Sequence, residues 1–110
     1  MQIREIAADI GLEALAVADP GREVAGGYCS DLLSDVLAHT QPGDLWITHQ
    51  RHLNVVAVGK LRDVAGIVFA RGLRPSPEVV ARADAEQVNL LVSSDAAFVV
   101  AGKLYSLLHR

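Results

Sequence analysis

The sequence predicts an α/β fold with a mostly parallel sheet. From Val24 onward, apolar runs typical of strands alternate with amphipathic segments typical of helices, in the order β-α-β-α-β-α-β-α. Strands separated by helices pair in parallel through right-handed crossovers. The chain is 51% apolar but only 5% aromatic, so Ala, Val and Leu fill the interior, which suits helices packed closely on a buried sheet. Its 110 residues suit a single domain over 1–110.

The first quarter of the chain is predicted to form one helix and two short strands. Apolar residues recur at helical spacing over 2–10, and Gly11 follows at the position that commonly ends a helix. Candidate strands at 15–17 and 23–25 flank Asp19-Pro-Gly21, which fits a type II turn or a longer loop. This arrangement allows one antiparallel strand on the N-terminal side of the sheet.

Capping residues and apolar runs place the remaining elements. Ser30 or Asp31 caps a helix that ends before Pro42, and Ser76-Pro77 provides a cap followed by proline at the first helical position. Asp95 opens the terminal helix. The elements predicted after Pro42 are strands 45–48, 65–70 and 89–92, and helices at about 53–61, 77–86 and 95–108.

The predicted helix at 53–61 is apolar nearly all round, with Asn54 and Lys60 as its main polar residues. Such a helix is normally buried on both sides. In a domain of this size, another copy of the chain accounts for the second side, which predicts a symmetric homodimer through this region. Two alternatives remain open: residues 55–58 form a strand, or the terminal helix covers the segment.

Composition excludes several classes of partner. The net charge is −3 and the basic residues are scattered, whereas a nucleic-acid surface needs a basic stripe. The single cysteine, Cys29, excludes an internal disulfide and suits a reducing compartment. No apolar run approaches the roughly 18 residues that span a bilayer, and the N-terminus lacks a signal-peptide pattern. We therefore expect a cytoplasmic protein without nucleic-acid or membrane partners.

A binding edge is predicted where the strands end, because ligands of parallel α/β sheets bind outside the carboxyl ends of the strands. Gly26-Gly27 follows a predicted strand and precedes a helix, so its backbone amides and the helix dipole favour an anion. The same type of junction recurs at 47–49 and 92–94. The candidate ligand-binding residues are Gly26, Gly27, Ser30, Asp31, Thr48, His49, His52, Arg71, Ser93 and Ser94. The other residues expected at this edge are Gln50, Gly72, Arg74 and Asp95.

Two binding motifs are incomplete. Residues 21–26 match the outer glycines of a phosphate-binding P-loop, but Gly27-Tyr28 occupies the place of the Lys and Ser or Thr that bind phosphate and magnesium. His49-x-x-His52 supplies two of the three or four ligands of a zinc site, to which only His39 or Asp44 could be added. We therefore expect no bound metal and no cofactor.

Three segments resemble the DRTGG-domain family, and the resemblance covers nearly the whole chain. They are residues 25–37, residues 45–58 and Phe98-x-x-x-Gly102, although the contiguous Asp-Arg-Thr-Gly-Gly string is absent. The chain is most similar to small stand-alone bacterial members. The resemblance implies a three-layer α/β/α domain similar to the N-terminal domain of HPr kinase/phosphorylase. It also implies a regulatory or dimerising role, because such domains accompany CBS domains and phosphotransacetylases.

These observations predict a noncatalytic regulatory or ligand-binding module, homodimeric, with an anion site for a nucleotide or phosphometabolite at the carboxyl edge of the sheet. One alternative is a small enzyme that uses Cys29 or the pair His49 and His52. A thiol just before a helix N-terminus can be activated, but only these histidines could serve as its base. The other alternative is a purely structural interaction domain.

Overall fold

Five strands form one mixed sheet, and five helices cover its two faces. The computed structural model describes all residues from 1 to 110. The strands are β1 (Glu13–Ala16), β2 (Gly26–Cys29), β3 (Asp44–Thr48), β4 (Gly66–Phe69) and β5 (Leu90–Val92). The helices are α1 (Ile3–Ile10), α2 (Leu33–His39), α3 (Asn54–Arg62), α4 (Pro77–Glu86) and α5 (Ala97–Leu108).

The strand order is β1-β5-β4-β3-β2. Strands β2 to β5 are parallel, and only β1 is antiparallel, to β5. Each crossover from β2 to β5 steps in the same direction, so right-handed connections place α2, α3 and α4 together on one face. Helices α1 and α5 cover the other face, where they contact each other. The predicted three-layer α/β/α architecture with a mostly parallel sheet is therefore confirmed.

Each face of the sheet has its own apolar core. Trp46 and Phe69, both fully buried, lie on the face covered by α2, α3 and α4. Ile47 and Leu91 point to the opposite face, where α1 and α5 cover them. The alternation of adjacent residues between two buried faces explains why the central strands are apolar throughout.

Several predicted boundaries are confirmed. Helix α4 spans residues 77–86 as expected, and α1 ends at Gly11, whose φ of 70° and ψ of 42° are left-handed. Strands β3, β4 and β5 lie within one residue of their predicted limits at each end. Caps and uninterrupted apolar runs are local signals, so they locate these elements without tertiary information.

The strand predicted at 23–25 is displaced in the structure. Residues 22–24 instead run beside the N-terminal segment, where the Val24 amide donates to the Met1 carbonyl at 2.9 Å. The glycine pair belongs to β2 itself. Glycine is suited to this strand because α5 lies very close to it. A Cβ on Gly27 would lie 2.7 Å from a Leu104 methyl.

Two predicted helix caps are also wrong. Helix α2 begins after Leu32, and α5 begins after Ala96, so neither Ser30 nor Asp31 caps the first and Asp95 does not cap the second. Each aspartate instead makes tertiary contacts at the sheet edge.

No helix in the structure is long and apolar enough to cross a membrane.

Helix α3 is apolar because it occupies the middle of a helix layer. It contacts α2 on one side and α4 on the other, and Val55, Val56 and Val58 are buried within the protomer. Residues 55–58 are helical, and α5 lies on the opposite face of the sheet, so both alternatives for this segment are wrong. The chain itself thus covers the three valines that suggested a dimer through α3, whereas Ala57 and Leu61 of the same helix are exposed.

Candidate functional site

The loops that follow β2 and β3 are joined through Asp31. Its Oδ1 accepts hydrogen bonds from the Thr48 hydroxyl at 2.9 Å and the His49 amide at 2.6 Å, and its Oδ2 lies 3.0 Å from His49 Nδ1. Burial alone would raise the pKa of Asp31, but the hydrogen bonds from His49 and Thr48 outweigh it and lower the pKa. Asp31 therefore stays ionised and fixes the orientation of the His49 ring.

The loops that follow β4 and β5 are joined through their backbones. The Arg71 amide donates to the Asp95 carbonyl at 2.8 Å, and the Gly72 amide donates to the Ser93 carbonyl at 2.7 Å. Both donors have left-handed backbones, with φ of 58° for Arg71 and 68° for Gly72. The Arg71 side chain is exposed and makes no hydrogen bond or ion pair. Its guanidinium is therefore free to meet a ligand.

Arg51 connects the β3 loop to the β4 loop. Its Nη1 donates to the Arg74 carbonyl at 3.4 Å. The Arg74 guanidinium itself is occupied, since its Nη2 lies 2.5 Å and 2.6 Å from the two carboxylate oxygens of Glu13. This hydrogen bonding raises the pKa of Arg74 and lowers the pKa of Glu13. Arg51 and Arg71 are consequently the cations at this edge that lack a carboxylate partner.

Side-chain hydrogen bonds shape the turn that leads into α3. The Gln50 amide donates to the Thr48 hydroxyl at 3.0 Å, the His52 amide to Gln50 Oε1 at 3.3 Å, and the Asn54 amide to His52 Nδ1 at 3.1 Å. Because His52 Nδ1 accepts a hydrogen bond, the neutral ring carries its proton on Nε2 as an exposed donor. No three His, Cys, Asp or Glu side chains converge as a metal-binding group.

The structure divides the ten candidate ligand-binding residues into three groups. Exposed or half-buried polar residues at the carboxyl edge are Ser30, Asp31, His49, His52, Arg71 and Ser94. Thr48 and Ser93 are buried, and their hydroxyl oxygens accept hydrogen bonds from backbone amides. Gly26 and Gly27 form the start of β2, with Gly26 opposite Asp44, the first residue of β3. They therefore lie toward the amino edge, which corrects their predicted position.

Cys29 is exposed on the side of β2 that faces α5. Its thiol makes no hydrogen bond with His49, whose Nδ1 is held by Asp31, or with His52. Partial burial of the sulfur beside α5, together with the nearby charge of Asp31, raises the pKa of the Cys29 thiol. An activated thiol needs a lowered pKa and a base in reach. The Cys–His arrangement required by the enzyme alternative is therefore absent.

Sequence reasoning missed a groove between edge strand β2 and α5. Two adjoining cavities of about 310 Å³ and 480 Å³ share Cys29, Ala101 and Tyr105 in their walls. The outer wall carries two aromatic side chains that are largely exposed, Phe98 at 76% and Tyr105 at 67%, and it is therefore strongly apolar. The helical spacing of these aromatic residues was the available signal. None of the five main cavities is lined by Arg51, Arg71, His49, His52 or Ser94.

Comparison with known proteins identifies the fold. No protein-family model matches the chain, and no curated protein sequence matches it. The chain is similar to a crystal structure of the CBS and DRTGG domains of the regulatory region of Clostridium perfringens pyrophosphatase, complexed with the activator diadenosine tetraphosphate. The TM-score is 0.71 with 15% sequence identity, over 94% of this chain and 47% of that one. The protein thus has a DRTGG-like fold and spans about half the length of that structure.

Proposed function

We propose that the protein is a noncatalytic regulatory module that binds an anionic small molecule, a nucleotide or a phosphorylated metabolite, at the carboxyl edge of its sheet. The DRTGG-like fold supports this proposal, because the similar solved structure is a regulatory region complexed with a nucleotide activator. The residues proposed to contact the ligand are Arg51, Arg71, His49, His52 and Ser94.

The observation that carries the proposal is a pair of guanidinium groups on adjacent loops that have no carboxylate partner. Arg51 and Arg71 have no carboxylate partner, whereas Asp31 and Asp95 at the same edge are paired with His49 and Lys103. These two guanidinium groups thus offer positive charge that no neighbouring carboxylate neutralises, in a chain whose net charge is −3. Guanidinium groups match phosphate oxygens in geometry and charge. The N-terminus of α3 adds its dipole at the same edge, where the Asn54 amide donates to His52 Nδ1.

The proposal includes a homodimer, as the sequence predicts, but through a surface other than α3. A purely structural interaction domain is the second candidate function. It is favoured by the position of the five main cavities, which avoid the five residues proposed to contact the ligand, and by the apolar groove beside β2. The two candidates differ in whether an anionic ligand stabilises the protein.

A thermal-shift screen tests the proposed ligand class. Its probes are inorganic phosphate, pyrophosphate, ATP and diadenosine tetraphosphate. A binder at a hundred times its dissociation constant stabilises the protein by about 2.7 kcal/mol, which raises Tm by several degrees. Arg51→Gln and Arg71→Gln should reduce the shift, whereas Arg82→Gln on the exposed side of α4 should not. Absence of a shift with every probe, or equal effects of all three variants, would contradict the anion site.

A further inference from the structure

Helix α5 presents a second apolar seam away from the sheet. Its inner face is buried, with Val100 1% and Leu104 2% exposed. Its outer face carries Phe98, Gly102, Tyr105 and His109, a spacing of four, three and four residues that places all four in one line. A helix that is apolar on two opposite faces is normally covered on both. The protomer covers only the inner face.

Gly102 at the centre of this seam has no role within the protomer. A Cβ placed on it would meet no atom within 4 Å, and its backbone is helical. Glycine weakens a helix interior relative to alanine. The protomer therefore gains nothing from a glycine at this position. A flat site between two exposed aromatic residues does allow the backbone of another helix to approach closely.

We propose that two copies of the chain pair through this seam, with the two α5 helices antiparallel across a two-fold axis near Gly102. Each Phe98 then lies toward Tyr105 of the other copy, so one patch is complementary to itself, as an isologous interface requires. The ring of Tyr105 is already held by stacking on His109 at a centroid distance of 4.1 Å. This inference rests on the homodimer in the proposed function and assigns its surface.

Charge and area favour a second copy as the occupant. No Asp, Glu, Lys or Arg stands in the seam, and neighbouring Lys103 is paired with Asp95 at 2.8 Å. Aromatic residues this exposed, together with Val99 and the adjoining edge of β2, would bury on the order of 1,000 Å² in a symmetric pair. That area reaches the size at which specific interfaces begin. The interface would also cover the unpaired edge of β2, an edge that soluble proteins usually protect.

Sedimentation equilibrium of the full chain, from low to high micromolar concentration, tests the pairing. The wild type should form a dimer. Phe98→Glu, Tyr105→Glu and Gly102→Gln should each raise the dissociation constant at least about tenfold. At concentrations low enough that the wild type is also monomeric, Gly102→Gln should keep or raise Tm, because glutamine is the better helix former and the site is open. Leu61→Glu on α3, a residue 74% exposed, is the matched control and should leave the dimer unchanged.

The experiment distinguishes failure of the proposed seam from failure of the homodimer as a whole. A wild-type chain that stays monomeric at high micromolar concentration would overturn both the seam and the homodimer. A dimer that none of the three seam variants weakens would overturn the seam alone, whatever the effect of Leu61→Glu. Because Gly102→Gln adds no charge and removes no packed group, its result stands even if the glutamate variants lose their fold.

Discussion

The Asp31 carboxylate holds both the amide and the ring of His49, at 2.6 Å and 3.0 Å. This contact replaces the helix cap that the sequence predicts for Asp31. It joins the ends of two neighbouring strands and leaves the other ring nitrogen of His49 available at the carboxyl edge. One charged residue thus links the fold to the proposed site.

Asp31→Asn should flatten the acid dependence of stability. The folded-state pKa of Asp31 is lowered below its ordinary value of 3.8. Its contribution is therefore fully present above that value and is lost as pH falls through the folded pKa. Denaturant unfolding gives the free energy of unfolding at pH 6 and near pH 3. The difference between these two free energies should be smaller for the variant than for the wild type. Asp84→Asn, whose carboxylate makes no hydrogen bond, serves as the control; equal acid dependence in Asp31→Asn and the wild type would refute the prediction.

Val55→Asp should prevent folding and leave no dimer to be weighed. Val55 is fully buried, and an unpaired carboxylate in an apolar core is strongly unfavourable. Circular dichroism should show loss of the cooperative transition, whereas Leu61→Glu on the exposed side of the same helix should retain it. A folded Val55→Asp protein would mean that α3 is not the centre of the helix layer.

Gly27→Ala should destabilise the protein by about 1–3 kcal/mol, because the added methyl would force the buried Leu104 side chain to move. Gly102→Ala is the matched substitution, since its site is open and it should gain about 0.5–1 kcal/mol. Urea unfolding of dilute protein measures both values. Equal effects of the two substitutions would contradict the close contact between β2 and α5.

Gln87→Gly should stabilise the protein by about 0.5–1 kcal/mol. Gln87 ends α4 with a left-handed φ of 61°, a conformation that costs a non-glycine residue free energy. The reverse change at the end of α1, Gly11→Ala at φ 70°, should cost about 1 kcal/mol or more. Thermal unfolding measures both, and a lower Tm for Gln87→Gly would show that its side-chain hydrogen bond to the Asp84 carbonyl matters more.

Local signals in the sequence predicted most of the fold but only part of the site. The cap at Ser76-Pro77 located α4 without error, because that signal is contained in neighbouring residues. The strand at Gly26–Cys29 was missed because the close packing of Leu104 on Gly27 explains the glycine there, and Leu104 is remote in the sequence. The link between Asp31 and His49 was invisible for the same reason, since it depends on the pairing of β2 with β3.

The most direct test of anion binding at the carboxyl edge is an ATP titration followed in the amide proton–nitrogen spectrum of the labelled protein. Binding at the carboxyl edge should move the amides of residues 49–54, 71–74 and 93–98, and Arg71→Gln should weaken every one of these changes together. Shifts confined to the neighbourhood of Gly27 and Tyr105 would place the ligand in the apolar groove instead. That result, or a spectrum unchanged by ATP and by every other anionic probe, would contradict an anion-binding regulatory module.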